Sequence, residues 1–588
     1  MNQPENKICQ NCKSNFLIEP EDFQFYERIQ VPPPTFCPDC RMKRRMLFRN
    51  EFNMHKCKCV MCGKETISHY SSNIKFPVYC NECWWSDKWD PLSYGRDYDV
   101  SKNFFEQWKS LSDVVPRPNL EAYQNENSPY SDFTWFSKNV YLSPSTISSD
   151  NVAYSKSTWN CRDTFDSMVT TNCENVYQVL DSERCVNCQF ISDCKDCLDS
   201  SFLFDCRSCT HCFMSSNLRG KKFVFRNQQL TQKEYEEKVN SAQNGYLNQK
   251  KLFAEYIDLR KNALHKYANT VKCVNSTGHN ISDCKNSKYC FNSRNCEDAK
   301  YGIQMQGAKT VQDMYGVGDK ESTLLYDGAN VGYLDSNVYF SANTFENCLR
   351  VEYCDYCRVS QDLFGCIGIR KKQYCILNKQ YDKETYTKLI PKIKKDMAEN
   401  PHRSSEGLVY RYGEFFPIEF SPFAYNESVA QSYYPTQKEA ALKSGYKWIE
   451  PETREYQATK KTEEIPNSIH ETAEDITSEV LGCEHNQKCG HNCTLAFKIT
   501  SQELRFYQKN GIPIPRICSG CRNGERWNLQ NPVKLWIRNC MCNYKNHSNT
   551  IKHLHHPEGQ CPNTFETSYS SDRPEVVYCE ECYNAEII

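Results

Sequence analysis

Small and β-branched side chains return every twelve residues between about residues 137 and 214. One column reads Ser137, Ser149, Cys161, Cys173, Cys185, Cys197 and Cys209. A second, three residues on, reads Val140, Val152, Thr164, Val176, Cys188, Ser200 and Cys212, and a third reads Thr146, Thr158, Thr170, Ser182, Cys194 and Cys206. A fourth is polar: Asn139, Asn151, Asp163, Asn175, Asn187, Asp199 and His211. Asn and Asp accept unusual backbone angles and stack as amide ladders, so this column marks a turn. A fixed period too short for a helical hairpin predicts a β-solenoid. Twelve residues at about 3.3 Å each give a coil perimeter of roughly 40 Å, two short sides around an interior that admits only small side chains.

From about residue 270 the rhythm returns. Cys284, Cys296 and Ala308 form one column, Ser287, Ala299 and Val311 the next, and Gly278, Cys290, Gly302 and Met314 a third. Ala342, Cys354 and Cys366, with Phe345 and Cys357 and with Ser336, Cys348 and Ser360, continue it. Both segments leave through the same phrase: Arg219, Asn227, Gln229 and Tyr235 recur as Arg370, Asn378, Gln380 and Tyr386. Thr231 and Glu234 form a capping box that opens a long helix through Tyr235, Val239, Tyr246, Leu252, Phe253, Tyr256, Ile257 and Leu264. The middle is thus an internal duplication. Residues 413–435 are aromatic and proline-bounded, an extended arm expected to pack on another domain, and 451–480 are polar, as in a linker.

Composition settles how the cysteines are read. The 588-residue chain carries 72 basic against 73 acidic residues, which gives no global pull towards nucleic acid or acidic lipid. Its 37 cysteines would suit a secreted disulfide scaffold, but the N-terminus lacks an apolar leader core and no apolar run is long enough to span a membrane. A reducing cytoplasm is therefore expected, where cysteine means metal ligand or buried small residue. The pairs Cys185/Cys188, Cys194/Cys197, Cys206/Cys209 and Cys209/Cys212 arise because adjacent columns are both cysteine. They are read as space-filling thiols rather than metal ligands.

The two ends read differently. Cys9/Cys12 face Cys37/Cys40, and Cys59/Cys62 face Cys80/Cys83 with Cys57 spare. Paired C-x-x-C turns supply the four thiolates of a tetrahedral zinc site. Near the C-terminus Cys489/Cys493 face Cys518/Cys521, with Cys483, His485 and His491 as substitutes, and a fourth set is read as Cys542, Cys561, Cys579 and Cys582, with Cys540 as a rival. Phe25, Tyr26, Cys37, Cys40 and Arg41 recur as Phe506, Tyr507, Cys518, Cys521 and Arg522, and Tyr70, Tyr79, Cys80 and Cys83 as Tyr569, Tyr578, Cys579 and Cys582. About four Zn²⁺ ions are implied. An insertion holding His547, His553, His555 and His556 offers alternative ligands or a weak extra metal site, with a solvated histidine loop as the plainer account. After Cys40 a helix bearing Arg41, Lys43, Arg44, Arg45 and Arg49 could contact phosphates, with Trp84, Trp85 and Trp89 as an aromatic face.

On these phrases the chain resembles a family of uncharacterised bacterial zinc-ribbon proteins, and its outer fingers look like the treble-clef or zinc-ribbon domain whose pattern is C-x-x-C, an F-x-I segment, a Phe-Tyr pair and C-x-x-C-R. The resemblance implies zinc and no activity. The expected class is mostly β with added helices: a duplicated short-coil β-solenoid flanked by treble-clef or zinc-ribbon modules at both termini. The modules are a ribbon over 1–50, a treble-clef-like module over 51–115, solenoids over 116–228 and 268–380, helices over 229–267 and 381–400, arm and linker over 401–480, a ribbon over 481–530 and a last module over 531–588. The function expected is a non-enzymatic scaffold for a macromolecular partner, protein or nucleic acid. RNA or single-strand binding is the second reading. A carbohydrate-active β-helix enzyme is a distant third, since no carboxylate pair clusters in the columns. No membrane and no small-molecule substrate are inferred.

Overall fold

The computed structural model describes residues 3–242, 245–318, 321–332, 334–343, 346–450, 457–544 and 549–588; Phe345 and His547 lie outside them. Strands dominate, with helices between them. Among the described residues no helix is long and apolar enough to cross a membrane. The chain forms two compact units, Met1–Leu120 with Ala268–Glu450, and Glu121–Tyr267 with Pro451–Ile588. Each unit joins one twelve-residue segment to the cysteine-rich end more remote from it in sequence.

In the second unit 14 strands share one sheet. Nearly all pair in parallel with a partner twelve residues on: Val176 lies beside Cys188, Val186 beside Leu198, and Leu198 beside Thr210. The polar column stands at bends, as predicted. Asn139, Asn151, Asp163, Asn175, Asn187, Asp199 and His211 all have φ between 47 and 56°. Their amides stack: Asn175 Nδ2 donates to Asn187 Oδ1 at 3.0 Å and Asn187 Nδ2 to Asp199 Oδ1 at 2.9 Å, and Asn151 donates to Asp163. The bends come more often than expected. A left-handed residue recurs at nearly every third position from Phe133 to Asn217, so the chain is not two straight sides. This conformation costs non-glycine residues about 1–2 kcal/mol each, and the ladder between neighbouring strands offsets it.

Inward positions therefore fall at every third residue, which adds a fourth inward column: Ser143, Ser155, Ser167, Val179, Ile191, Leu203 and Ser215, all buried. Within the columns serine and cysteine do the same work. Ser149 Oγ donates to Ile147 O at 2.9 Å, Cys161 Sγ to Trp159 O at 3.3 Å and Cys173 Sγ to Thr171 O at 3.4 Å. In return Ser149 Oγ accepts the Cys161 N–H at 3.0 Å, and Cys161 Sγ accepts that of Cys173 at 3.3 Å. Burial pushes the Cys161 and Cys194 thiols up. Cys209 goes the other way, held down by the thiols of Cys197, Cys206 and Cys212.

The recurring exit phrase closes each sheet. Lys222–Phe225 turns back as Gln228–Gln229, and Gln373–Ile376 as Lys379–Gln380. Asn227 Oδ1 accepts the Ser216 N–H at 2.9 Å and Asn378 Oδ1 that of Ile367 at 2.7 Å. Gln229 and Gln380 side chains donate to Lys222 O and Gln373 O at 2.6 and 3.1 Å. The Thr231–Glu234 box is formed, but two helices follow it, Gln232–Ala242 and Gly245–Asn262, and Leu264 begins a strand instead of ending the helix.

Among the described residues of the first unit 11 strands form the corresponding sheet. Its register lengthens locally: Lys309 pairs with Thr323, Thr323 with Ser336 and Ser336 with Leu349. The columns expected through Ser336 and Ala342 are thus displaced by one residue, and Asp335 takes the inward place beside Cys348, whose N–H it accepts at 2.8 Å. The arm packs inside this unit, with Phe415 against Phe48 at 5.2 Å and Phe416 against Trp108 at 4.2 Å between ring centres. In the second unit the stretch expected as a linker is anchored where described: Ile465, Ile469 and Ile476 are buried beside Leu504 and Tyr507.

Burial pushes the Asp335 carboxyl up to about 7. An acid whose folded value lies above its unfolded value of about 3.9 makes stability fall as pH rises between the two, with the loss complete above the folded value. Asp335→Asn should therefore gain stability over wild type as pH is raised from about 4 to 8, by a few kcal/mol at the upper end. Denaturant midpoints of the two proteins across that range check this; a pH-independent difference would contradict it.

Candidate metal centres

Among the described residues, the groups that could hold a metal ion include four sets of four cysteines: Cys9/Cys12/Cys37/Cys40, Cys59/Cys62/Cys80/Cys83, Cys483/Cys493/Cys518/Cys521 and Cys540/Cys561/Cys579/Cys582. Each is built alike. A hairpin carries two of the cysteines, one just after its first strand and one before its second. Glu5–Ile8 pairs with Asn15–Ile18, His55–Lys58 with Glu65–Ser68, Leu481–Gly482 with Ala496–Phe497 and Trp536–Asn539 with Thr564–Thr567. A helix supplies the other two. Cys37, Cys80, Cys518 and Cys579 are the N-cap residues of Pro38–Met46, Asn81–Trp84, Ser519–Leu529 and Glu580–Ile587. Unpaired N–H groups and the positive end of a helix favour thiolate there.

The hairpin thiol and helix are also joined directly. The N–H of Cys37 donates to Cys9 Sγ at 3.2 Å, that of Cys518 to Cys483 Sγ at 3.3 Å and that of Cys579 to Cys540 Sγ at 3.2 Å. Cys9 and Cys518 are held well below the ordinary thiol range by neighbouring thiols, and Cys579 falls to about 3, chiefly through Cys540. Sulfur separations of 3.6 Å for Cys12–Cys37, 3.9 Å for Cys62–Cys80, 3.8 Å for Cys483–Cys521 and 3.9 Å for Cys561–Cys579 span the edge of about 3.8 Å that a tetrahedron of 2.3 Å metal–sulfur bonds requires. These donor sets could hold metal ions.

At two positions the four-cysteine groups differ from the expected sets. Cys483, not Cys489, follows the first strand of its hairpin, and Cys540, not Cys542, does so in the last module. Spacing alone favoured the nearer pair; position after the strand, as with Cys9 and Cys59, is the signal that points to Cys483 and Cys540. Cys489 stays close, 3.5 Å from Cys521 Sγ. Cys57 points elsewhere, packed with Tyr70 and Val78.

The basic helix is not a phosphate-contacting face. Arg41, Arg44, Arg45 and Arg49 are each at most 3% exposed. Arg41 Nε donates to Asp313 Oδ2 at 2.9 Å, Arg44 to Asp327 and Glu414 at 2.6 and 2.8 Å, Arg45 to Asp327 and Asp313 at 2.7 and 3.2 Å, and Arg49 to Glu51 at 2.7 Å. Lys43 is half-buried over the Tyr434 ring. Nor is the tryptophan cluster an open stacking platform: Trp84, Trp85 and Trp89 surround the Arg370 guanidinium within 5.2 Å, and Arg370 donates to Trp84 O. What sequence reasoning missed is that the apparent basic patch had acidic partners in the parallel sheet.

No family model and no curated protein matches the chain. A structural comparison pairs it with a provisionally named acetyltransferase from Desulfovibrio desulfuricans G20, at 8% identity over 51% of this chain and 76% of that one, with a TM-score of 0.10, a likeness that carries no argument. The class that the fold and sites define is thus a mostly-strand protein with cysteine clusters able to bind metal at both ends.

Two outcomes follow. Cys483→Ser should lose about one bound metal equivalent per chain while Cys489→Ser keeps it, read by elemental analysis; the reverse would restore the spacing-based assignment. Asp327→Ala leaves Arg44 with Glu414 and Arg45 with Asp313 but removes the carboxylate the two share, so one buried positive charge loses its counter-charge and the first unit should be destabilised by about 3–5 kcal/mol in denaturant unfolding.

Proposed function

We propose that this protein is a non-enzymatic, zinc-held scaffold in which treble-clef or zinc-ribbon modules clasp two short-coil β-solenoids and present them to a macromolecular partner. The observation that carries the reading is the shared construction of the four cysteine sets, hairpin plus helix N-terminus, each closed by thiols. Such a set matches structural zinc and leaves no open position for water, which argues against metal catalysis. Each module has little core of its own, and structural zinc contributes on the order of 10 kcal/mol, enough to hold it folded. The parallel, twelve-residue register with regular bends supports the solenoid reading. Reduced thiols are required throughout, which suits a reducing compartment such as the cytoplasm.

The partner is proposed to be a protein. Nucleic acid loses its main support because the arginines and tryptophans that suggested it are committed to internal contacts, whereas the hairpins leave Ile8, Val60 and Ile537 exposed at 65% or more. Elemental analysis of the full chain, with Cys9, Cys59, Cys483 and Cys540 changed to Ser one at a time, tests the reading. About one zinc equivalent should be lost with each, and thermal stability should fall with it. Metal-free protein that melts as the wild type does would overturn it.

A further inference from the structure

We propose that the last module binds a second metal ion, held by Cys542, His553, His556 and the Cys582 thiolate that it shares with the four-cysteine set. The proposal rests on the zinc reading of that set and goes beyond it. The four donor atoms lie within 4.8 Å of one another, and all four residues are buried. Cys542 Sγ is 3.5 Å from His553 Nδ1, His553 Nδ1 is 3.2 Å from His556 Nε2, and His556 Nε2 is 3.0 Å from Cys582 Sγ. A tetrahedral ion with bonds of about 2.3 Å to sulfur and 2.0–2.1 Å to nitrogen sets nitrogen–nitrogen edges near 3.3 Å and sulfur–nitrogen edges near 3.6 Å. Two of these separations agree closely; the third needs a shift of about half an ångström.

The surroundings are those of a prepared ligand set. His553 Nε2 stands 2.9 Å from Glu586 Oε1, so the carboxylate takes the N–H and leaves the Nδ1 lone pair facing the cluster. Glu586 is itself fixed by the Thr550 N–H at 2.8 Å and hydroxyl at 2.6 Å. Tyr544 ties the loop, donating to His556 O at 3.1 Å and accepting the His553 N–H at 2.6 Å. Asn549 Nδ2 donates to Cys542 Sγ at 3.0 Å. Apart from Cys582 and Glu586 on the helix Glu580–Ile587, these groups come from the insertion between the two hairpin cysteines, Cys540 and Cys561. That segment brings few apolar side chains, so an ion would be its core. Two thiolates and two imidazoles select a borderline divalent cation such as Zn²⁺, and one bridging thiolate joins the two ions.

The test uses the full chain, purified with zinc. Wild type should hold about five zinc equivalents per chain, and His553→Ala/His556→Ala about four. Replacement by Co(II) should give wild type a mixed sulfur–nitrogen visible spectrum that the double variant lacks. Should that variant fail to fold, Cys542→Ser is expected to lose the same equivalent and the same spectral component. A wild-type total of about four overturns the second site, whether or not the histidine variant changes it, since the imidazoles would then belong to a single ion or to none. Absence of zinc from wild type would sink the zinc reading itself, a distinct result.

Discussion

A carboxylate buried at a bend of each parallel sheet, gripping two arginines from one finger helix, is the contact on which the rest of each unit depends. Asp327 accepts from Arg44 and Arg45, and Asp166 from Arg522 and Arg526 at 2.9 and 2.8 Å. Both aspartates sit in the left-handed region, with φ of 47 and 49°. The property that lets Asp form the bend, a short polar side chain tolerant of positive φ, also projects its carboxylate out of the sheet. Burying such charges is costly and adds little net stability, but leaving one unpaired costs more. The pairing therefore acts mainly as a registration device: only one placement of the helix on the sheet satisfies both arginines.

Metal and latch are consecutive in sequence for a reason. Arg41, latched to Asp313 beside Asp327's pair, follows Cys40, and Arg522, latched to Asp166, follows Cys521. Each arginine also donates back to the residue before the first helix cysteine, to Phe36 O at 2.7 Å and Ile517 O at 3.0 Å. A metal held at the helix N-terminus would fix the direction in which the helix starts, and the next residue converts that direction into a docking contact. The C-x-x-C-R pattern thus encodes one mechanical unit, repeated in both halves. The exit arginines extend it to the second finger of each unit: Arg370 enters the tryptophan cluster, and Arg219 donates to Tyr583 Oη at 2.7 Å.

Much of this was legible in the sequence because the signals are periodic or duplicated. The twelve-residue register, the Asn bends, the exit phrase with Asn227 and Asn378, and the helix-borne cysteine pairs all follow from residue type at fixed spacing. What was hidden depends on partners remote in sequence. The arginine run reads as a free basic face until Asp313 and Asp327 are brought to it from nearly half the chain away. The fourth inward column escaped notice because it changes from Ser143 to Leu203 while keeping its place, and Cys540 stayed a mere rival to Cys542 because its place after a strand, shared with Cys59, is a relation that residue spacing across an insertion conceals.

The zinc reading proposed above needs a reason why thiols at the ends could gather metal while thiols in the middle fill space. Strand spacing decides it. Residues stacked in one column are held about 4.8 Å apart by the ladder, roughly 1 Å longer than the tetrahedral sulfur–sulfur edge. Closing that gap would compress the sheet, and it would also strip each thiol of the carbonyl to which it donates, as Cys161 does to Trp159 O and Cys194 to Ser192 O at 3.2 Å. The hairpin cysteines have no such ladder to break. They sit at the mouth of a turn opposite a helix N-terminus, where four sulfurs already approach the required edge and the N–H groups favour their charge. On the zinc reading, identical side chains would thus be sorted into two roles by the backbone that holds them.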